Sequence, residues 1–208
     1  MPHRPRARQS RAPARALGAA GFTLIELLFA AAVAGTVTAI AVPQFLSGLD
    51  DVRAHNAARH LAQQLALARM DAIKRSRFVG LRFEPGSPDY AITLFADGNG
   101  NGIRSADITS GVDPPLGPAD VLGWHFQGVV FGVLPGVPDA DGQPVTTTDG
   151  VRVGVSRILS MNPNGSSSSG TLYVHGGQRS QYAVRVLGAT GRVRVLKYEQ
   201  SRRRWVDQ

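Results

Sequence analysis

The hydrophobic pattern changes character twice along the chain. From Phe22 to Val42 apolar and small residues run almost unbroken, about 20 positions, which as a helix rising 1.5 Å per residue crosses a hydrocarbon core of roughly 30 Å. After Pro43-Gln44-Phe45 the apolar positions thin to a stripe. Ala54, Ala58, Leu61, Leu65, Ala68 and Ala72 alternate by four and three and so share one helical face, with Arg53, Arg59, Gln63, Gln64 and Arg69 largely elsewhere. From Phe78 the helical period gives way to short runs rich in Val, Ile, Phe and Tyr: 78–83, 90–95, 128–134, 151–155, 171–175, 182–187 and 192–198, separated by Gly, Pro, Asp and Ser clusters. No repeat of fixed period is visible. The pattern predicts an α+β fold with a leader over 1–21, a transmembrane helix over 22–42, its amphipathic continuation over 43–77, and an antiparallel β-rich, sandwich-like domain over 78–208. Span and continuation together make one rod of about 50 residues, roughly 75–80 Å long. A buried core helix is the competing account of the apolar run, and its unbroken length argues against that; a free coiled coil is the competing account of the stripe, and the small alanines in the seam argue against that.

Charge refines this division. Residues 1–21 are basic and rich in Pro and Ala but lack an apolar core, so they do not make a complete secretory signal. Arg4, Arg6, Arg8, Arg11 and Arg15 all precede the apolar run, which predicts a cytoplasmic N-terminus and the bulk of the chain outside. The formal net charge is +8, from 23 basic and 15 acidic residues, and at face value it suggests an anionic partner. Without the five leader arginines 18 basic residues stand against 15 acidic ones, so most of the excess belongs to the leader. The chain has no cysteine, hence no disulfide and no thiolate metal site.

Glu26 is the anomaly in the apolar run. A carboxylate inside a membrane helix costs on the order of 2.5–3.5 kcal/mol on insertion scales and asks for a partner. A cut after Gly21 would create an α-amino group at Phe22, one helical turn away, and amine and carboxylate of neighbouring subunits at matching depth would neutralise each other. Alternatively the carboxylate snorkels to the interface from near the helix end.

Gly21-Phe22-Thr23-Leu24-Ile25-Glu26-Leu27-Leu28 resembles the class III signal of type IV pilins and pseudopilins. The resemblance implies cleavage after Gly21 by a prepilin peptidase, N-methylation of Phe22, a role for Glu26 with Phe22 in assembly, and a helix kink at Pro43. Leu67 to Arg75, running into Phe78-Val79-Gly80-Leu81, is similar to the GspH/FimT branch of that family, where an Arg-x-x-Ala-Ile-x-Arg ending leads into the first strand. The implied protein is a minor pilin or pseudopilin with a pilin-like fold, a subunit of the tip or initiation complex of a type II secretion pseudopilus or a type IV pilus. Its implied partners are other pilins or pseudopilins, prepilin peptidase and the bacterial inner membrane. It would cross that membrane once with its C-terminal domain periplasmic, and then join the filament tip.

Three further stretches carry candidate chemistry. Asp97-Gly98-Asn99-Gly100-Asn101-Gly102 has the oxygen-rich spacing and turn glycine of a calcium loop, with Asp97, Asn99 and Asn101 as candidate ligands. The closing Glu is missing, Ile108 standing in its place with Asp107 one position short, so a plain Asn-Gly turn competes with the metal site. The expectation is no cofactor, with calcium the single weak candidate. Asn162 to Gly170 is a flexible polar loop with no assigned chemistry. At the C-terminus Gly191-Arg192-Val193-Arg194 puts two guanidinium groups on one strand face, followed by Lys197, Tyr198, Arg202, Arg203, Arg204 and Trp205. Cations that take phosphate, interleaved with aromatics that stack, are what a nucleic-acid groove needs. DNA binding is therefore the alternative function, as in the FimT-like minor pilins linked to DNA uptake that this element resembles. An edge strand kept soluble by charge competes with it.

Nothing recommends an enzyme. His3, His55, His60, His125 and His175 show no metal-ligand spacing, and His55 and His60, five apart, do not share the face an i, i+4 zinc pair needs. Nucleophile elbow, phosphate loop and dinucleotide fingerprint are all missing from the sequence.

Overall fold

The computed structural model describes residues 21–87, 89–177 and 179–208. The leader arginines and His3 lie outside the described residues. The chain forms two compact units that meet between Val42 and Pro43.

One helix, α1, runs from Leu24 to Arg75, 52 residues. Its start is a reciprocal cap: the Glu26 amide donates to Thr23 Oγ1 at 3.3 Å, while the Thr23 amide donates to Glu26 Oε2 at 3.2 Å. That capping box satisfies two of the amides a helix N-terminus leaves without partners. In the first unit Phe22, Leu24, Ile25, Leu27, Leu28 and Phe29 are all exposed, and the most apolar window is unburied. This stretch is long and apolar enough to cross a membrane. Pro43 stands inside the helix, where it donates no amide to the carbonyl of Ala39 one turn back.

In the second unit the helix buries Ala54, Ala57, Ala58, Leu61, Leu65, Ala68 and Ala72, the expected stripe plus Ala57. The helix stops at Arg75 rather than 77. Ser76 turns to φ 52°, its amide donates to the carbonyl of Ile73, and the amide of Arg77 reaches back to the carbonyl of Ala72. That pairing is a Schellman close with serine in the left-handed position that glycine usually fills.

The remainder comprises β1 (Val79–Glu84), β2 (Ala91–Ala96), α2 (Ser105–Ser110), β3 (Asp120–Val121), α3 (Leu122–His125), β4 (Val129–Phe131), β5 (Val151–Arg152), β6 (Ile158–Met161), β7 (Gly170–Gly176), β8 (Ser180–Leu187), β9 (Arg192–Glu199) and β10 (Arg204–Asp207). Two sheets form, with every pairing antiparallel. One has the order β3-β2-β1-β6, the other β10-β9-β8-β7-β4, with β5 also pairing to β7. The apolar run expected as one strand over 151–155 is cut short by Gly154 at positive φ, and after Arg157, also at positive φ, comes a strand, β6, that the hydrophobic pattern did not predict. The first part of the run, β5, joins one sheet, and β6 joins the other.

The six-stranded sheet is buried on both faces. On one side Tyr182, Val184 and Val186 share a core with the α1 stripe and with Leu81, Phe83 and Leu159. On the other, Tyr173, Ala183, Leu196 and Tyr198 lie under Val133, Leu134, Val137 and Ala140, from the segment that leaves β4. This strap is fastened by polar contacts to the sheet beneath. Gln181, fully buried, donates through Nε2 to the carbonyls of Gly132 (3.0 Å) and Val174 (3.1 Å) and accepts from the Leu134 amide at 2.7 Å. The Ala140 amide donates to Tyr173 Oη at 2.9 Å, Trp205 Nε1 to the Pro138 carbonyl at 3.2 Å, and Arg185 clamps Asp141 at 2.7 and 3.1 Å.

Candidate functional site

The N-terminal motif presents its parts differently. Gly21 and Phe22 lie ahead of the helix and are exposed. Glu26 is turned back on its own backbone, taking both the amide and the hydroxyl of Thr23 on Oε2, each at 3.2 Å. An amine created at Phe22 would therefore compete with this cap for the same carboxylate. A glutamine at 26 would retain the cap but not the charge.

The Asp97 loop is organised by carboxylates facing backbone amides. Asp97 accepts from the amides of Asn99 (3.1 Å), Gly100 (2.7 Å) and Gly102 (2.9 Å), and Asp113 accepts from those of Gly98 (3.0 Å) and Arg104 (3.2 Å). Both acids are buried. Asn99 Oδ1 takes the Asn101 amide at 3.1 Å. These oxygens point at amides, the arrangement of an Asx-type turn, and both Gly100 and Gly102 adopt the positive φ such a turn requires.

The basic C-terminus is a hairpin, not a tail, since Arg204 and Trp205 lie in β10 paired to β9. Arg194 stands beside Arg185 on the next strand, and each of these like charges is held by its own acid, Asp207 at 2.7 Å and Asp141 at 2.7 Å. Lys197 donates to Asp51 of α1 at 2.7 Å, and Arg202 to Glu199 at 3.1 Å. Arg203 and Arg204 are exposed. Arg192 instead lines a groove of about 590 Å³ with Arg59 and Arg69 of α1.

Lys197 completes a polar clamp. Tyr182 Oη donates to Asp51 Oδ1 at 3.0 Å, and Lys197 Nζ lies 5.6 Å above the Tyr182 ring. Burial alone would raise the Asp51 carboxyl, but hydrogen bonding and charge from Lys197, with hydrogen bonds from Tyr182 and Ser180, hold it below the ordinary 3.8. The Tyr182 phenol is pushed up to about 12 by burial and by the adjacent Asp51 charge.

Histidines that are scattered in sequence meet in space. His60 of α1 and His125 of α3 flank Asp120 of β3, with Nε2 of His125 at 2.7 Å and Nε2 of His60 at 3.5 Å from its carboxylate. Burial pushes the Asp120 carboxyl up, yet hydrogen bonds from Gln64 and His125, with the His60 ring close by, leave it lowered overall. The spacing of 60 and 5 residues carries no sequence signal for this meeting, which depends on β3 pairing to β2.

An N-terminal helix that is apolar and exposed at first and then packed on antiparallel sheets is an arrangement compatible with a pilin-like fold. Residues 57–191 match the model of the family described as Type II transport protein GspH, and the chain belongs to that family. It is also 40% identical over 82 residues to the pilin-like protein PilA1 of Thermus thermophilus, covering 39% of this chain and half the length of that relative. Among solved structures it resembles the minor pseudopilin EpsH from the type 2 secretion system of Vibrio cholerae, with 17% identity and a TM-score of 0.43, over 69% of this chain and 94% of the other.

Proposed function

We propose that the chain is a minor structural subunit of a type II secretion pseudopilus or a type IV pilus, cut after Gly21 by a prepilin peptidase, methylated at Phe22, and added to the tip or initiation complex. The observation that carries this is the exposed apolar half of α1, which begins within three residues of Gly21 and holds one carboxylate, Glu26, a single turn in. In lipid that half anchors the chain in the inner membrane, with the β-rich unit on the periplasmic side. In a filament, Glu26 exchanges its Thr23 cap for the Phe22 amine of a neighbouring subunit, so the chain works by packing rather than by catalysis. Co-expression with a prepilin peptidase, followed by intact-mass measurement, tests the first step. The expected product lacks residues 1–21 and carries one added methyl group; an unshortened chain overturns the proposal.

The groove containing Arg59, Arg69 and Arg192 favours a second reading, capture of DNA in uptake. Phosphate contacts impose a steep salt dependence, so gel-shift titration at several salt concentrations decides it. DNA capture predicts binding that weakens steeply with salt and is lost on Arg59→Ala with Arg192→Ala; no shift at low salt refutes it.

A further inference from the structure

We propose that His60, Asp120 and His125 form a binding site for a divalent transition-metal ion of the zinc class, which clips α1 to the β3–α3 segment. Among the described residues this is the one group of three His and Asp side chains whose ligand atoms all lie within 4.8 Å of one another. A tetrahedral ion with bonds near 2.0–2.1 Å sets its donors roughly 3.3 Å apart, so small side-chain rotations suffice to close the site. Two imidazoles and one carboxylate, in a chain without cysteine, suit zinc and its neighbours rather than calcium, which asks for six to eight oxygens.

Two features prepare the site. His60 Nε2 accepts from Gln64 Nε2 at 2.9 Å when the ring proton sits on Nδ1, which is the tautomer that offers Nε2 to a metal. Gln64 Nε2 also donates to Asp120 at 2.8 Å, while its buried Oε1 has no partner. With a cation between the rings the amide gains by turning over, which brings the orphaned oxygen toward the ion as a fourth donor. His60 and Asp120 are about a quarter to a third exposed and His125 half exposed, so the ion has a way in. Once bound it adds a link from α1 to a segment that β3 secures through only two residue pairs.

The test uses the full-length, tag-free chain in detergent, stripped with a chelator and titrated with Zn2+ by calorimetry, with Ca2+ and Mg2+ as controls. One Zn2+ binds per chain, Ca2+ and Mg2+ do not compete, and the thermal midpoint rises. Co2+ in place of zinc gives the intense visible absorption of a tetrahedral centre. His125→Asn, at a half-exposed position, and His60→Asn each weaken binding by at least about tenfold, whereas His55→Asn and His175→Asn leave it unchanged. Absence of saturable Zn2+ binding by the parent chain overturns the proposal, as does binding that survives both His60→Asn and His125→Asn.

Discussion

Replacing Gln181 with leucine tests whether the strap over the outer sheet face is held by its buried amide. The substitution nearly conserves volume but leaves the Leu134 amide and the Gly132 carbonyl facing an apolar side chain, after losing bonds of 2.7 and 3.0 Å. Each buried backbone group left without a partner costs about 1–3 kcal/mol, so the pair costs about 2–6 kcal/mol, which the extra apolar burial of leucine reduces to a net loss of about 2–4 kcal/mol. The other fastenings, Tyr173 to Ala140 and Trp205 to Pro138, survive the change, so the fold persists at reduced stability. Urea unfolding of the full-length chain in detergent, followed by tryptophan emission, measures this. Trp205 packs on Tyr173 and Tyr198, with ring centroids 5.9 and 5.4 Å away, and a Trp124→Phe background removes the exposed second indole. The midpoint should fall, while Gln200→Leu on the exposed surface leaves it nearly unchanged. A loss below about 0.5 kcal/mol for Gln181→Leu would refute the reasoning, because the strap groups would then have found other partners.

Four other outcomes are expected. Gly176→Ala would bring a methyl group to 2.6 Å from the Asp50 carbonyl of α1, forcing helix and sheet apart at a cost of about 1–3 kcal/mol, and an unchanged thermal midpoint would contradict that close approach. Asp51 is lowered in the folded chain, so its contribution to stability is fully present above 3.8 and lost as pH falls through its lower folded value. The stability gap between the parent and Asp51→Asn should accordingly be constant at neutral pH and narrow below about pH 4 in urea titrations; a gap independent of pH in that range refutes the clamp. Glu26→Gln retains the capping box, so far-ultraviolet circular dichroism should match the parent while filament incorporation falls, whereas Glu26→Ala keeps the bond from its own amide to Thr23 Oγ1 but loses the bond from the Thr23 amide, a further cost of about 0.5–1.5 kcal/mol. Millimolar Ca2+ should leave the thermal midpoint unmoved, since the Asp97 oxygens already hold three amides; a rise abolished by Asp97→Asn would show that the loop takes the ion.

The apolar run, the Ala and Leu stripe and the main strands were legible because each is a local periodicity. A span needs only length and composition, a buried helix face needs a repeat near 3.6, and β1, β2, β7, β8 and β9 are long enough to show their character. Of the shorter strands, β4 and β5 fall inside the runs 128–134 and 151–155, but β3, β6 and β10 show no such signal. Asp120–Val121 and Arg204–Asp207 are strands because of what lies beside them, and β6, beyond the run at 151–155, joins the other sheet after two residues at positive φ, Gly154 and Arg157. The strap over 133–140 shows no period, since its apolar side chains answer to the sheet beneath rather than to one another.

The candidate chemistry divides along the same line. Gly21, Phe22 and Glu26 lie within one stretch of six residues, so their motif survives without a fold, and the sequence by itself determined it together with the apolar half of the helix. Only the tertiary structure decided the fate of the charges. It gave Arg194, Lys197 and Arg202 acidic partners 13, 146 and 3 residues away, left Arg192 in a groove with Arg59 and Arg69, and brought His60 to Asp120 and His125. Charge and metal affinity depend on distance in space, and for a chain folded into two antiparallel sheets that distance is set by strand pairing, which spacing along the sequence does not encode.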